Sequence, residues 1–191
     1  SNVDMSSGAP AFGTPEYVRA TQISGQMSRF YGLPLRASKD CAANCPEAQA
    51  AWESAFSLSS CVSSGTNNVY HAAGWLEGGL CASYEKFIMD CETLQQLIHY
   101  MQPMTVGIEE LAFDAIREVG SNGNFFSASH TLERYESAFY APFLSDWNNF
   151  ETWEERGSIA TPERANTIWK QILADFEAPP MEASIREELE S

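Results

Sequence analysis

The stretch Asn68–Asp90, NVYHAAGWLEGGLCASYEKFIMD, has the pattern of a short strand, a glycine-rich turn and the start of a helix. Alternation between 69 and 73 predicts a half-buried strand, and the glycines that follow permit a sharp turn or a close approach to a ligand. Ser83 predicts the N-cap of a helix that begins at Tyr84. Because ligands of α/β proteins collect at the carboxyl ends of strands, we expect a binding site at this turn.

The turn carries an imidazole, an indole and a carboxylate, from His71, Trp75 and Glu77. His71 suits a hydrogen-bond donor or a general acid/base, and the alternative is a core histidine bonded to a neighbouring carbonyl. We interpret Glu77 as a functional carboxylate that faces a cavity or solvent. Glu85 is interpreted as a structural charge at the positive end of the helix dipole. The spacing predicts a site but identifies no catalytic residue.

Aromatic side chains surround the same turn. Tyr70, Trp75 and Tyr84 predict a wall for a cationic ligand, because quaternary ammonium groups bind over the faces of aromatic rings. Ordinary core packing is the alternative interpretation for each ring. Further along, His130 and Thr131 precede a helical segment and are interpreted as a second element of the site or as a helix cap. No phosphate-loop or nucleophile-elbow motif is present in the sequence.

The composition limits the partners. The 191 residues include 26 acids and 11 bases, and the formal net charge of -15 argues against nucleic acid and anionic membranes. We find no long apolar run and no charged-then-apolar leader, which predicts neither a membrane span nor a signal peptide. Five cysteines at irregular spacing favour free thiols in a reducing cytoplasm. Cys41 and Cys45 lack a second pair at zinc spacing, so we predict no metal site.

Helical spacing dominates the rest of the chain, so the predicted fold is helix-rich α/β. Short strands that are each followed by a helix imply parallel strands with crossover connections, as part of a larger structure. The predicted strands lie at 33–38, 69–73 and 124–127. The predicted helices lie at 15–31, 48–60, 84–102, 107–119, 130–139, 149–156, 163–176 and 183–189. The helix at 84–102 has an apolar face, and the helix at 48–60 has a side of small and aromatic residues that includes Trp52 and Phe56.

The run HAAGWLEGGLCASYEKFIMD resembles the signature of the trimethylamine methyltransferase (MttB-like) family. Other pieces agree in the same order, so the resemblance covers nearly the whole chain. These pieces are VDMSSGAPAFGTPEY at 3–17, RFYGLPLR at 29–36, CPEAQAAWE at 45–53, IREVG at 116–120, SHTLERY at 129–135, FYAPFLSD at 139–146 and ERAN at 163–166.

The resemblance implies the C-terminal portion of a TIM (β/α)8 barrel. Residues 1–145 would be its last βα units, and 146–191 a helical C-terminal extension. The chain would then be a fragment or come from an incomplete gene model. The family moves a methyl group from a tertiary or quaternary amine to the cobalt of a corrinoid (cobamide) on a separate small protein. The implied partners are therefore a small amine and a cognate corrinoid protein, with no cofactor held by this chain and a homo-oligomer in the full-length form.

The family's pyrrolysine position would lie near Asp40 or Cys41. Ala42-Ala43-Asn44 stands where the family has an acidic-Ser-Lys run, which implies a non-pyrrolysine member acting on betaine-type amines. In this interpretation His71 donates to a substrate carboxylate, and Trp75, Tyr70 or Tyr84 flanks the ammonium group. The segment Gly32–Arg36 lies at the next strand end, where its backbone groups can approach the ligand. Two other readings stay open: a quaternary-amine-binding module without turnover, and an inactive truncated product.

Overall fold

The computed structural model describes residues 2–190, and helices make up most of the ordered elements. The helices are α1 Pro15–Tyr31, α2 Ala48–Ser63, α3 Tyr84–Tyr100, α4 Ile108–Leu111, α5 Phe113–Val119, α6 Ser129–Leu132, α7 Phe150–Glu155, α8 Thr161–Ala174 and α9 Ala183–Glu190. The strands are β1 Arg36–Ser38, β2 Asn68–Tyr70, β3 Trp75–Leu76 and β4 Cys81–Ala82. A helix-dominated α/β chain is therefore confirmed, whereas the TIM barrel and the division at residue 145 stay predictions.

Strands β1 and β2 pair in parallel, with Arg36 opposite Asn68 and Ser38 opposite Tyr70. Helix α2 forms the crossover between them, because two parallel neighbours need a long connection. The Lys39 amide extends the ladder by donating to the Tyr70 carbonyl at 3.0 Å. The predicted parallel arrangement is confirmed, and the carboxyl ends of both strands lie at one edge.

Local capping signals set the predicted helix ends. The Thr14 hydroxyl accepts the Tyr17 amide at 3.3 Å, and Gly32 ends α1 in a left-handed conformation with φ 66°. The Ser83 hydroxyl accepts the Lys86 amide at 3.2 Å and so begins α3. These three predictions are confirmed.

The predicted strand at 69–73 is wrong at its end, because β2 stops at Tyr70. His71 takes a left-handed conformation with φ 55°, which turns the chain out of the strand. The chain then forms a small antiparallel hairpin in which Trp75 pairs with Ala82 and Leu76 with Cys81. A 3-10 turn at Glu77–Gly79 joins the two strands.

Helix α2 buries its polar side instead of the side that carries its aromatic rings. Trp52 and Phe56 are 61% and 44% exposed, whereas Ser54 and Ser57 are buried. The reason is the polar interior opposite α2, where the Ser57 hydroxyl donates to the Asp40 carbonyl at 3.2 Å. Helix α3 behaves similarly: it buries charged residues, and much of its predicted apolar face is exposed or half-buried.

Residues 101–149 depart most from the predicted elements. The helix at 107–119 breaks at Ala112, which has φ 51° and separates α4 from α5. The predicted strand at 124–127 is a turn, closed by a bond from the Phe126 amide to the Asn124 side chain. Helix α6 begins after Ala128, so Thr131 lies inside it and is not its cap, and the helix ends before residues 133–139. Asn side chains compete with regular backbone pairing. Among residues 2–190, no strand pairs with the segment at 124–127.

The C-terminal helices attach to α3. Ile88 of α3 packs against Leu144 and Ala165 in a small buried cluster. The buried Glu92 carboxylate accepts the Phe143 and Leu144 amides at 3.1 and 3.0 Å. No helix within residues 2–190 is both long enough and apolar enough to cross a bilayer.

Candidate functional site

The carboxyl edge of the β1–β2 pair holds the candidate site. Lys39, Asp40 and Cys41 follow β1, and His71 follows β2. The hairpin that begins at Trp75 is tied to the same edge, because the Cys41 thiol donates to the Trp75 carbonyl at 3.2 Å. The segment predicted to carry the site therefore follows a strand end, and its role in binding stays a prediction.

His71 lies in the angle between two aromatic rings. Its ring centroid is 4.6 Å from that of Tyr70 and 5.3 Å from that of Trp75, and both contacts are edge-on. The Nδ1 atom is buried and has no hydrogen-bond partner within the described residues. A buried polar atom without a partner is rare in native proteins and requires an explanation. The alternative interpretation, a core histidine bonded to a neighbouring carbonyl, requires a hydrogen bond that Nδ1 does not make.

Tyr70 already has a cation against its ring. The Arg36 guanidinium carbon lies 4.4 Å from the ring centroid of Tyr70, in a cation–π contact. This contact occupies one face of the ring and leaves Tyr70 less free to receive a ligand. The aromatic wall is thus not a single surface of three open rings.

Glu77 is exposed at the tip of the hairpin, as expected for a side chain that faces solvent. Its φ is 52°, and its amide donates to the Ala43 carbonyl at 2.8 Å. The next amide, that of Gly78, donates to the Cys41 carbonyl at 2.8 Å. These bonds fasten the hairpin over the loop that follows β1.

Asp40 is a buried carboxylate beside this hairpin. Its Oδ1 accepts the Cys41 amide at 2.8 Å. Burial raises the pKa of Asp40, and the nearby charges of His71 and the lysines oppose that shift. A Cβ atom on Gly79 would lie 3.1 Å from Oδ2, so the absence of a side chain there lets the hairpin approach the carboxylate closely. Burial also raises the pKa of the Cys41 thiol, which disfavours a reactive thiolate.

Tyr84 lies apart from His71 and stacks on Trp169, with centroids 4.9 Å apart. Tyr84 and Trp75 nevertheless line one cavity of about 540 Å³ between the hairpin, α3 and α8. Phe87 and Leu173 add to its largely apolar wall. Trp75 therefore links the strand edge to this cavity.

Gly32 is not at the carboxyl edge. It caps the C-terminus of α1, and Leu35 after it pairs with Asn67 at the amino ends of the strands. The expected position at a strand end is therefore wrong for Gly32, because Gly32 lies before β1, which begins at Arg36, and the chain reaches the carboxyl edge only at Lys39.

Sequence reasoning missed a buried ionic triad next to the site. Lys39 and Lys86 both donate to the carboxylate of Asp90, and the exposure of these side chains is 1% for the lysines and 3% for Asp90. The Lys86 ammonium also donates to Ser54 at 2.8 Å, and the Gly74 amide donates to Asp90 at 2.9 Å. Burial lowers the pKa of Lys39, and the Asp90 charge opposes that shift.

The loop Lys39–Cys45, which follows β1, is polar in sequence but largely buried. Glu53 of α2 holds it by accepting the Ala42 and Ala43 amides at 2.7 and 3.2 Å. No group of three or more metal-ligating side chains is close enough to hold a metal ion within residues 2–190.

A parallel strand pair joined by a crossover helix is typical of α/β proteins, and polar residues lie at the carboxyl edge of this pair. The family model described as trimethylamine methyltransferase (MTTB) matches residues 1–191. The chain belongs to the trimethylamine methyltransferase family.

Three relatives show the range of similarity. A glycine betaine methyltransferase from Desulfitobacterium hafniense (strain Y51) is 38% identical over 98% of this chain and 39% of its own length. Trimethylamine methyltransferase MttB2 from Methanosarcina mazei is 30% identical over 98% of this chain and 38% of its own. Trimethylamine methyltransferase MttB from Methanosarcina barkeri is 28% identical, with 98% and 38% covered. The chain thus spans about two-fifths of the length of these curated relatives.

Proposed function

We propose that this chain contributes to a methyltransferase that removes a methyl group from a betaine-type quaternary amine and transfers it to the Co(I) of a corrinoid on a separate protein. Family membership supports methyl transfer. The observation that carries the substrate class is the buried, unpartnered Nδ1 of His71 beside the Trp75 indole. A donor next to an aromatic ring suits a ligand with a carboxylate at one end and a quaternary ammonium at the other.

The reaction requires little from the protein beyond correct placement of the substrate. Attack of Co(I) on the methyl carbon forms a cobalt–carbon bond and breaks the carbon–nitrogen bond. The electron pair of that bond stays on nitrogen, so a neutral tertiary amine leaves and no proton transfer is needed at nitrogen. Fixing the methyl group in line with the approaching cobalt is then the main contribution of the site.

Each residue has a separate part in the proposal. His71 donates a hydrogen bond to the substrate carboxylate. Trp75 offers its ring to the ammonium group, since its indole lies 5.3 Å from the imidazole and also lines the apolar cavity. Asp40 lies buried beside the hairpin, and its carboxyl group adds a negative charge near the cation when it is ionised. Tyr84 has a part only if the substrate extends into the cavity that it shares with Trp75.

Two observations favour a betaine over trimethylamine. The relative named glycine betaine methyltransferase is 38% identical, against 28–30% for the trimethylamine methyltransferases described above. In addition, Ala42-Ala43-Asn44 stands in the loop where the resemblance implies an acidic-Ser-Lys run. The amides of both alanines donate to Glu53, which holds this part of the loop in place.

The surroundings of the reaction fit a reducing compartment. All five cysteines are free thiols in the structure. We therefore place the methyltransferase in the cytoplasm, together with its corrinoid protein.

Calorimetric titration with glycine betaine, trimethylamine and carnitine tests the substrate class. We expect saturable binding of glycine betaine, tighter than that of trimethylamine, and its loss in His71→Ala. The matched control is His99→Ala, because His99 is exposed on α3. Equal binding by the parent and His71→Ala would contradict the role of His71, and the absence of betaine binding would contradict a substrate site within this chain.

Incubation with glycine betaine and cob(I)alamin tests the reaction. We expect methylcobalamin and dimethylglycine to appear in equal amounts, because one methyl group leaves the amine for each cobalt methylated. Betaine binding without dimethylglycine would contradict turnover by this chain and would assign it to the class of amine-binding modules.

A further inference from the structure

Asp90 is the point at which four elements meet. One of its carboxylate oxygens accepts from Lys39, at the end of β1, and from the Gly74 amide at 2.9 Å. The other oxygen accepts from Lys86, one turn earlier on α3. Through Lys86 the network reaches Ser54 of α2 at 2.8 Å. The carboxylate therefore joins β1, α2, α3 and the turn that precedes the hairpin.

The bond from the Gly74 amide to Asp90 is the one that connects Asp90 to the site, because Gly74 lies between His71 and Trp75 in the chain. Its carbonyl accepts the Ser83 amide at 2.9 Å, so both of its backbone polar groups are held. Its φ is 86°, and a Cβ there would lie 3.3 Å from atoms of Phe87. The short segment between the imidazole and the indole is thus fixed at its centre by a side chain from α3.

Lys39 completes the link on the other strand. Its ammonium binds Asp90, and its amide binds the Tyr70 carbonyl at 3.0 Å, next to His71. Asp40 follows it directly. The same carboxylate therefore fixes the residue before Asp40 on one strand and the segment after His71 on the other.

We propose that Asp90 is a positioning residue for the site: its bonds to the Gly74 amide, Lys39 and Lys86 set the placement of His71 and Trp75 relative to the end of β1. Asp90 acts through its neighbours and touches no reacting atom. Its importance for catalysis rests on the proposed function, whereas the placement itself is a property of the free protein.

A buried ion pair by itself is weak evidence for such a role, because apolar replacements of similar volume often fold as well or better. An apolar replacement of the whole triad therefore tests whether Asp90 has more than a structural role. The triple replacement Lys39→Met, Lys86→Met and Asp90→Leu removes all three charges together and leaves no unpaired buried charge. It also removes the acceptor of the Gly74 amide. A merely structural triad would leave the His71 environment unchanged in this variant.

The experiment is NMR of protein labelled at histidine, with glycine betaine titration as a second readout. The chain has three histidines, so His99 and His130 serve as internal controls. We expect the triple variant to shift the His71 ring resonances, to leave those of His99 and His130 in place and to weaken betaine binding by about 10- to 100-fold. Unchanged His71 resonances in the folded triple variant would overturn the proposal.

The matched variant Lys39→Met, Lys86→Met, Asp90→Asn provides the rescue, because it also leaves no unpaired buried charge and its asparagine oxygen can still accept the Gly74 amide. We expect its His71 resonances to return towards those of the parent. If the variant with leucine at position 90 does not fold, the asparagine variant decides, and His71 resonances displaced as far as in Asp90→Ala would overturn the proposal. If the parent protein binds no betaine, the proposed substrate is wrong. The His71 resonances of the variants still test whether Asp90 positions His71.

Discussion

Residues 14–100 and residues 101–190 are held together by different forces. The first region buries charged and hydroxyl side chains around Asp90, and its large apolar side chains Trp52 and Phe56 face outward. The second region buries only apolar side chains among the residues described, namely Ala115, Ala128, Leu144 and Ala165. Within residues 2–190, the four strands and the candidate site at the strand edge lie in the first region. The difference teaches that the strand edge is held by a buried network of directional polar bonds in addition to packing, whereas the fully buried side chains of the helical region are apolar.

The two regions meet at two carboxylates of α3. Glu92 is buried and accepts backbone amides of the second region, whereas Glu85 is half-exposed and accepts the Asn166 and Trp169 side chains at 2.6 and 2.8 Å. The second region is therefore fastened to the first through polar bonds as well as through the Ile88 cluster.

The largest expected effect lies in the first region. Asp90→Ala leaves two buried lysines without a counter-charge, so we expect the free energy of unfolding to fall by about 3–5 kcal/mol. The matched control is Asp114→Ala, whose ion pair with Arg117 is exposed and whose loss we expect to cost less than about 0.5 kcal/mol. Urea unfolding measures both. Equal losses in the two variants would remove the contrast between the regions.

The second-largest expected loss of stability concerns Glu92, which connects the two regions. Glu92→Gln replaces charge-assisted bonds to the Phe143 and Leu144 amides by weaker ones, and we expect a loss of about 1–3 kcal/mol. Hydrogen exchange should rise at residues 143–145 before it rises in β1 and β2. Glu118→Gln on the exposed side of α5 is the control. A uniform loss of protection from hydrogen exchange across the chain would contradict a local role for Glu92 between the two regions.

Gly79→Ala tests the close approach of the hairpin to Asp40. Gly79 has φ 88° and Gly120 has φ 69°, so alanine at either position is expected to cost about 1 kcal/mol of unfolding free energy. Only Gly79 has a neighbour in reach, Oδ2 of Asp40, whereas nothing lies near a Cβ on Gly120. We therefore expect Gly79→Ala alone to weaken binding of glycine betaine. Equal titration curves for the two variants would contradict a role for Asp40 in the site.

The smallest effect concerns pH. The Asn166 and Trp169 hydrogen bonds lower the pKa of Glu85 to about 2, so the carboxylate stabilises the fold above its ordinary pKa and loses that contribution as pH falls towards 2. Because Glu85 is largely solvated, we expect Glu85→Gln to cost less than about 1 kcal/mol at pH 6. The cost should shrink between pH 5 and pH 3 in urea unfolding. A difference that stays constant over this range would exclude the ionised carboxylate as its source.

Local signals made part of this structure predictable. Thr14 and Ser83 cap helices through bonds within three residues, and strand-helix order implied the parallel β1–β2 pair. The buried triad was not predictable in this way, because Lys39 and Asp90 are 51 positions apart. Lys86 and Asp90 are spaced like an ordinary pair on a solvent-exposed helix face, so their burial leaves no mark in the sequence.

Among the site residues, the strand end predicted His71 and Trp75 as neighbours, whereas it misplaced Gly32. Tyr84 was expected to form an aromatic wall with Tyr70 and Trp75, and the structure stacks it on Trp169, a partner that lies far along the chain. Such partners are set by the packing of α8 on α3, which short-range patterns do not encode. The corrinoid partner and the barrel stay predictions from the family resemblance.

The most direct test of the account is the NMR signal of His71 during titration with glycine betaine. The account predicts that the His71 ring resonances shift saturably, with the same midpoint as calorimetric binding, while those of His99 and His130 stay fixed. Saturable binding that leaves the His71 resonances unmoved would contradict a substrate site at the carboxyl edge of β1 and β2.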